Sequence, residues 1–419
     1  MENVRGSLLF MMITLLNSAC SRVSYGNFTY KTALNVALLN GYNPSVHPGQ
    51  NYGTQKLNVN VGFDLFKIQE FDELASVFTI TGVLTVTWFD ERLKWTPRNY
   101  SNLNITHFKQ KDIWTPPFVL SNSYHNIDLI GYGDMTLKLK YHGEVNWFLP
   151  LKLSSSCDAD VMYYPNDEQS CSLELLPWGY TGDYMQLTVP NPILETNTFT
   201  KNPTWDLVST FQKAFSSPKL GYKMGITFKR KPLFFMVNFI MPTIFLSFIN
   251  MMVFLLPAES GERVGYSITV LLAMAVFLST ITTILPQTST PNMALLCYLF
   301  IAHIGQSLLI MICTIFGLRF YLRFPEDHVP RWISGLTRFA CTCAKSATCN
   351  VHLRTPNAVS EIKITDHDGV EIVEDTGSSL SVDAVTWQCV GKAFDRVCCV
   401  FFLMTSISYN TGFLVVMYY

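Results

Sequence analysis

The residues with the clearest chemical potential lie between Gly261 and Thr283, where a carboxylate precedes a long uncharged segment. Counting from Glu262, residues at steps of three or four share one face of a helix. The residues on that face are Gly265, Thr269, Leu272, Val276, Ser279 and Thr283. Their side chains are small or carry a hydroxyl, apart from the two bulky aliphatics Leu272 and Val276. It suits a narrow water-filled path, in which hydroxyls contact ions, aliphatic side chains form a constriction and carboxylates select charge. Close helix packing through small residues is the alternative interpretation.

The composition predicts a membrane protein with a sizeable soluble part. Of 419 residues, 49% are hydrophobic and 15% are charged, and the net charge of −1 gives no sign of a nucleic-acid partner. Residues 1–24 have the pattern of a secretory signal peptide: Arg5, an apolar run, then small residues at Ser18 and Ala19. The mature chain is therefore expected to begin outside the cell.

Four later segments are apolar over the roughly 20 residues that a helix needs to cross a bilayer. They lie near Leu233–Leu256, Val264–Ile284, Met293–Phe316 and Val397–Met417. We therefore expect three membrane helices within 232–316, a cytoplasmic loop over 317–396 and a last helix over 397–419. The pattern near 382–395 predicts an amphipathic helix that runs on into this last helix. An extracellular start and four crossings place both termini outside the plasma membrane.

Sequons and cysteines support this topology. The glycosylation sequons begin at Asn27, Asn99 and Asn104, all before the first span. The predicted ectodomain, residues 25–231, contains only Cys157 and Cys171, which we expect to form a disulfide in an oxidising compartment. The remaining cysteines lie in the signal segment, in or near the membrane, or in the predicted cytosolic loop, and their spacing there predicts no metal site.

The ectodomain pattern indicates a β-sandwich. Between Phe78 and Trp88 the even positions are mostly apolar and the odd positions include four threonines, which predicts a strand with one buried face. Residues 135–141 alternate in the same way, and His142-Gly143-Glu144 predicts a turn into the next strand. A helix over about 30–40, ended by Gly41, is expected to precede the strands. An immunoglobulin-like β-sandwich followed by a four-helix membrane bundle is therefore the expected fold.

Several motifs give the chain a strong resemblance to a known family. Cys157 and Cys171 enclose 13 residues with Tyr164-Pro165 and Asp167 among them. The segments Trp88-Phe-Asp-Glu-Arg-Leu-Lys-Trp95, Ile113-Trp-Thr-Pro116, Arg230-Lys-Pro-Leu-Phe and Gly261-Glu-Arg263 fit the same pattern. Together they resemble the Cys-loop, or pentameric ligand-gated, ion channels of the nicotinic type. The resemblance implies a pentamer of this chain or of homologous subunits, small ligands at subunit interfaces and a pore formed by the second span.

The resemblance also implies which residues couple ligand binding to the pore. They belong to the disulfide loop, a turn near residues 72–74, the segment before the first span and the linker after the second: Asp72, Glu73, Tyr164, Pro165, Asp167, Arg230 and Pro286. An arginine facing carboxylates such as Glu73 or Asp167 would form a contact with two states, as a gate requires.

Nicotinic relatives enclose a quaternary ammonium in a box of aromatic rings. By resemblance, Trp178 keeps one wall of that box, while Ser121 and Val83 stand where rings are expected, and the adjacent cysteines are absent from 211–222. Nearby aromatics could build a different pocket: Tyr124, Tyr180, Phe211, Phe215 and Tyr222. The ligand is therefore expected to be a small molecule that is not recognised as acetylcholine is.

In a pentamer, Glu262 would form a carboxylate ring that favours cations, and Glu259 would add a second, wider ring. Leu272 and Val276 would form the apolar gate. The leading hypothesis is therefore a ligand-gated channel for monovalent cations, surrounded by membrane lipid. An anion channel and a non-conducting accessory subunit or surface receptor are the alternatives. The sequence contains no phosphate loop or catalytic triad, so no enzyme activity and no cofactor are predicted.

Overall fold

A computed structural model describes residues 29–49, 56–131, 133–285, 293–323, 329–335, 337 and 386–418. The predicted signal peptide, Asn27, Pro286 and most of the predicted cytoplasmic loop lie outside these residues. By its contacts the chain divides into two compact units, one β-rich and one helical, which are described separately.

The β-rich unit begins with helix α1, residues 29–39, which ends before Gly41 as predicted. Gly41 has a φ of +78°, a conformation that glycine adopts without strain at a helix C-terminus. Ten strands follow: β1 Leu57–Asp72, β2 Val77–Phe89, β3 Ile105–Lys109, β4 Phe118–Leu120, β5 Thr136–Lys140, β6 Glu144–Ser156, β7 Glu168–Pro177, β8 Met185–Thr188, β9 Trp205–Phe215 and β10 Gly221–Arg230.

The strands form two sheets, with the orders β3-β5-β6-β2-β1-β8 and β4-β7-β10-β9. Pairing is antiparallel except between β1 and β8. The alternation predicted for β2 is confirmed, since residues at even positions from Phe78 to Trp88 are buried. The expected disulfide is also present. It joins Cys157, directly after β6, to Cys171 in β7, and so links the two sheets covalently, with 5.6 Å between the Cα atoms.

Aromatic rings fill one part of the space between the sheets. Phe78 and Phe228 stack with ring centroids 5.0 Å apart. Phe71 and Trp205 meet Phe228 edge-on at 5.4 and 4.9 Å. Such rings bury large apolar areas and add favourable edge and stacking contacts. This cluster therefore holds β1, β2, β9 and β10 together.

The helical unit contains four helices long and apolar enough to cross a membrane: α2 Leu233–Leu255, α3 Arg263–Ile284, α4 Leu295–Tyr321 and α5 Trp387–Tyr418. Helix α4 runs five residues beyond the predicted end at Phe316. Helix α5 crosses the predicted boundary at 396 without a break, so the described part of the amphipathic segment and the last span are one helix. A membrane helix can continue through polar residues, because its backbone amide and carbonyl groups remain hydrogen-bonded to one another within the helix.

Helix α2 changes pitch where the sequence contains Pro242. A π-helical turn occupies Met236–Ile240, and the Met241 amide donates to the Met236 carbonyl. Proline lacks the amide needed for regular helical bonding, and its ring displaces the preceding turn. Pro242 therefore accompanies a local change of helix type in α2 rather than an end of the helix.

We expect Phe228→Ala to lower the free energy of unfolding by about 3–5 kcal/mol, because it removes the ring on which the aromatic cluster is centred. Thermal unfolding of the solubilised full-length protein measures this loss. Phe89→Ala is the matched control, since Phe89 is 41% exposed at the end of β2, and it should change the stability by less than about 1 kcal/mol. Equal effects of the two substitutions would contradict the assignment of the core.

Candidate functional site

The predicted stripe on α3 is the face that the rest of the helical unit leaves uncovered. All of Gly265, Thr269, Leu272, Val276, Ser279 and Thr283 are exposed. The opposite face is buried through Arg263, Ser267, Val270, Met274 and Ile281. Leu272 is 63% exposed although it is among the most apolar residues of the helix. One face of α3 thus packs within the subunit, and the other remains available for water, lipid or neighbouring subunits.

The hydroxyls on this face are oriented by their own helix. Thr269 Oγ1 donates to the Gly265 carbonyl at 2.8 Å, and Thr283 Oγ1 donates to the Thr280 carbonyl at 2.7 Å. A hydroxyl that donates its proton to the backbone keeps its oxygen lone pairs free to accept from water or contact a cation. The exposed face is therefore polar in a way that suits hydrated cations.

Glu262 lies at the amino end of α3. Its carbonyl accepts from the Tyr266 amide at 2.9 Å, which makes it the N-cap residue, and its side chain is exposed. The residue before it, Gly261, has a φ of +71° and turns the chain into the helix. A carboxylate at this position interacts favourably with the helix dipole. Glu259, in the turn Ala258–Ser260, is also exposed.

The proposed coupling residues meet around one arginine, Arg230, which is only 4% exposed. Arg230 Nε donates to Asp167 Oδ1 at 2.7 Å, and the terminal nitrogen Nη2 donates to Asp167 Oδ2 at 3.0 Å and to Glu73 Oε1 at 2.6 Å. The guanidinium carbon lies 4.7 Å from the Tyr164 ring centre and 4.2 Å from that of Trp205. The contacts of Arg230 with both carboxylates, which the sequence suggested, are thus present.

Burial and charge act in opposite directions on this cluster. Burial alone would lower the pKa of Arg230, but the hydrogen bonds and charges of Asp167 and Glu73 outweigh it and raise the pKa. The pKa of the Tyr164 hydroxyl is raised, chiefly by burial. A buried arginine with two carboxylates therefore remains charged.

The other predicted coupling residues have separate positions. Pro165 is buried next to Tyr164 in the disulfide loop. Asp72 does not bind Arg230 in the contacts described: its Oδ1 accepts from the Ala75 amide at 2.9 Å and so shapes the β1–β2 turn. Pro286 lies outside the described residues. Within the predicted coupling set, the structure therefore shows Asp167 and Glu73 as the carboxylates that contact Arg230.

Two of the predicted box residues share a surface cavity of about 690 Å³. Residues 176–183 form one wall, and Ser216, Pro218, Lys219 and Leu220 form the other. Trp178 is 65% exposed there. Tyr180 contacts Trp114, whose Nε1 donates to the tyrosine hydroxyl at 3.2 Å. It also meets the ring of His47 edge-on, with 5.8 Å between the ring centres.

The remaining predicted rings do not line this cavity. Phe215 lines a neighbouring cavity of about 290 Å³ that shares Gly182, Ser216 and Leu220 with the first. Phe211 is partly exposed on β9, with Lys213 Nζ 5.9 Å from its ring centre. Tyr124 is exposed beside His125, and its amide donates to the Ser154 carbonyl of β6. The predicted rings are therefore distributed over several surfaces.

The prediction that Tyr222 lines a ligand pocket is wrong for this structure. Its exposure is 0%, and its hydroxyl donates to Gln212 Oε1 at 2.5 Å inside the sandwich. Burial raises the pKa of this tyrosine well above its usual range. The sequence contained the signal: Tyr222 is in phase with Met224, Ile226 and Phe228, the inward face of β10. Trp114 and His47, conversely, were missed as neighbours of Tyr180 because they come from distant segments.

Comparison with known proteins gives the family. The model of the neurotransmitter-gated ion-channel ligand binding domain matches residues 31–232. The model of the neurotransmitter-gated ion-channel transmembrane region matches residues 239–343, and the two matches together span most of the chain. The chain belongs to the neurotransmitter-gated ion-channel family.

Similar proteins carry acetylcholine receptor names. The chain is 31% identical to acetylcholine receptor subunit beta-type lev-1 of Caenorhabditis elegans, over 78% of this chain and 64% of that protein. It is 30% identical to acetylcholine receptor subunit beta-like 1 of Drosophila melanogaster, over 71% and 59%. It is 29% identical to the human neuronal acetylcholine receptor subunit alpha-6, over 71% and 61%. The matches thus cover about three fifths of each relative's length.

Membership confirms the recognition from motifs and the predicted fold of an extracellular β-sandwich followed by four membrane helices. It makes the chain a multi-pass plasma-membrane protein with an extracellular domain. The family comprises ion channels rather than enzymes, as the sequence predicted, and pentamers are typical of it. In this Cys-loop chain the described residues include no cluster of three or more metal-ligating side chains.

In this Cys-loop subunit we expect Asp167→Asn to destabilise the ectodomain by about 1.5–3 kcal/mol, because it removes the carboxylate charge that accepts two hydrogen bonds from a buried arginine. Glu73→Gln should cost about 1 kcal/mol, since Glu73 is partly exposed to water. The midpoint of thermal unfolding of the solubilised protein tests which of the two substitutions lowers the stability more. A larger loss for Glu73→Gln would show that Asp167 is not the principal partner of Arg230.

Proposed function

We propose that this chain is a subunit of a pentameric, ligand-gated, cation-selective channel of the plasma membrane. The observation that carries the proposal is the uncovered face of α3, with Glu262 at its amino end and hydroxyls along its length. Pentamers are typical of the family, and in a pentamer such a face would surround a common axis. The residues that a water-filled path requires then coincide with the residues that the subunit leaves unpacked.

The sign of selectivity follows from Coulomb's law. At about 6 Å and a water-like dielectric constant, one carboxylate stabilises a monovalent cation by about 0.7 kcal/mol, so a pentameric ring contributes about 3–4 kcal/mol before screening. Repulsion within the ring lowers its mean charge and reduces this total. An anion experiences the same field with opposite sign. Glu262 therefore argues against the anion-channel alternative.

The ligand is proposed to bind in the cavity beside Trp178 and Tyr180. Ser121 stands where nicotinic subunits are expected to have a ring, and its hydroxyl donates to the Glu174 carbonyl at 3.1 Å instead. Val83 replaces a second ring. Each missing ring forfeits about 0.5–2 kcal/mol of cation–π attraction, so the loss of two lowers affinity for a quaternary ammonium by about one to three decades. We therefore propose weak or absent activation by acetylcholine.

The reduced aromatic box also favours a second candidate, an accessory subunit that assembles and reaches the surface but conducts only with partners. Expression in oocytes under voltage clamp, alone and with homologous subunits, separates the two. Amines, amino acids and protons form the agonist panel. Current from this chain alone would support the first candidate. Surface protein without current alone, together with altered current on co-expression, would support the second.

We expect Glu262→Gln to lower the sodium-to-chloride permeability ratio about tenfold or more, because it removes the carboxylate ring. The shift in reversal potential on dilution of external NaCl measures this ratio. Glu259→Gln is the control, with an expected change of about twofold, since that carboxylate would lie farther from the axis. A reversal potential that Glu262→Gln leaves unaltered would refute the assigned selectivity.

Leu272→Ser should produce standing current without agonist, or increase agonist sensitivity, because a hydroxyl removes the dewetted constriction. Leu271→Ser is the matched control: the same substitution one residue earlier lies off the exposed stripe and should leave the resting state closed. Holding current under voltage clamp is the readout. Standing current from Leu271→Ser but not from Leu272→Ser would place the gate on another face.

A further inference from the structure

Arg263, the residue after the proposed selectivity carboxylate, is buried rather than exposed. Glu262 lies on the surface of the subunit, whereas Arg263 is 3% exposed. A cation at the first position of a helix is unfavourable with respect to the helix dipole. A positive charge beside the proposed carboxylate ring would also oppose cation entry. The arrangement therefore needs something that both holds and neutralises this guanidinium.

The partners of Arg263 come from all the other membrane helices. Its Nε and Nη2 donate to the Leu256 carbonyl just after α2, at 2.8 and 2.5 Å. Its Nη1 donates to Asp395 Oδ2 of α5 at 2.9 Å. The Tyr321 hydroxyl of α4 donates to the same carboxylate oxygen at 3.0 Å. One guanidinium thus connects α3 with α5 and with the residue that follows α2. It reaches α4 through Asp395 and through the Tyr321 ring, whose centre lies 5.3 Å from the guanidinium carbon.

Close packing keeps this group in place. Asp395 is 4% exposed, so its charge has little access to water. Gly391, one turn before it on α5, lies against the Tyr321 ring, where an added Cβ would approach ring carbon at 2.8 Å. A side chain at Gly391 would displace the Tyr321 ring, so the glycine favours the close approach of α5 to α4 in which Tyr321 reaches Asp395. Removal of either charge would leave the other buried and uncompensated.

We propose that Asp395 and Tyr321 are positioning residues for ion selectivity, which hold Arg263 inside the helical unit and neutralise it so that Glu262 alone sets the charge at the pore entrance. This inference rests on the proposed function, because it assumes that Glu262 faces the permeating ion. It assigns to the last helix, 132 residues from Arg263 along the chain, a part in choosing the ion.

The test uses the full-length chain with Leu272→Ser, so that current does not require a known agonist. Asp395→Asn leaves Arg263 charged beside Glu262, and the sodium-to-chloride permeability ratio should fall about threefold or more. Arg263→Gln removes the opposing charge, so the ratio should stay at or above that of the parent. The double variant Arg263→Gln/Asp395→Asn, which lacks both charges, and the conservative Asp395→Glu should lie within about twofold of the parent.

A purely structural pair would give a different result. Both single variants would then reduce the number of channels, while those that reach the surface would keep the parental ratio. An unchanged ratio in Asp395→Asn, or a fall in Arg263→Gln equal to that in Asp395→Asn, overturns the proposal. Glu262→Gln in the same background separates failure of this inference from failure of the proposed selectivity. If it lowers the ratio and Asp395→Asn does not, only this inference fails, and if it leaves the ratio unchanged, the proposed selectivity fails first.

A second measurement applies if a variant passes no current. Surface biotinylation of the same set should show each single variant below about half of the parental level and the double variant above both, because a buried charge is costly only when it is unpaired. A double variant no better than the singles, or singles at the parental level, overturns the pairing on which the proposal stands.

Discussion

The burial of two arginines is the constraint on which both units of this protein depend. Arg230 lies three residues before the first membrane helix, and Arg263 is the first residue of the second. Each is nearly excluded from water, and each has a carboxylate partner and a nearby tyrosine ring. A guanidinium taken out of water is tolerated only when its donors are matched by acceptors and its charge by carboxylates. Removing Asp395 or Arg263 leaves the other charge buried and uncompensated, which costs more than the pair itself contributes.

The two clusters differ in how their charge is balanced. Arg230 has two carboxylates, of which Asp167 is buried and Glu73 is partly exposed. Its partner set can therefore change without leaving the arginine unpaired, which is what a contact with two states requires. Among the described contacts, Arg263 has a single carboxylate, and its remaining donors go to a backbone carbonyl. That arrangement suits a fixed group rather than a moving one.

The surface left open by one subunit is best understood from the family to which the chain belongs. A membrane helix that exposes Leu272 together with threonines and a serine would be poorly matched to lipid alone. In the proposed pentamer the same face would surround water, and the hydroxyls already bonded to their own helix would offer lone pairs to ions. In the ectodomain, the cavity beside Trp178 is the proposed ligand site, and by resemblance it keeps only part of the nicotinic set of rings. The protein thus combines a conventional proposed pore with an altered proposed ligand site.

The sequence by itself determined the features that local periodicity or covalent chemistry controls. It determined the buried face of β2, the membrane helices, the disulfide and the stripe on α3, because each depends on residues close together or on a cysteine pair with no competitor. The inward position of Tyr222 follows from the same kind of periodicity along β10. Only the tertiary structure decided that Trp114 and His47 support Tyr180, and that Arg263 meets Asp395. Those outcomes depend on how elements distant in the chain pack together. Periodicity states which face of a helix or strand is buried, but it does not state which side chain of another element lies opposite.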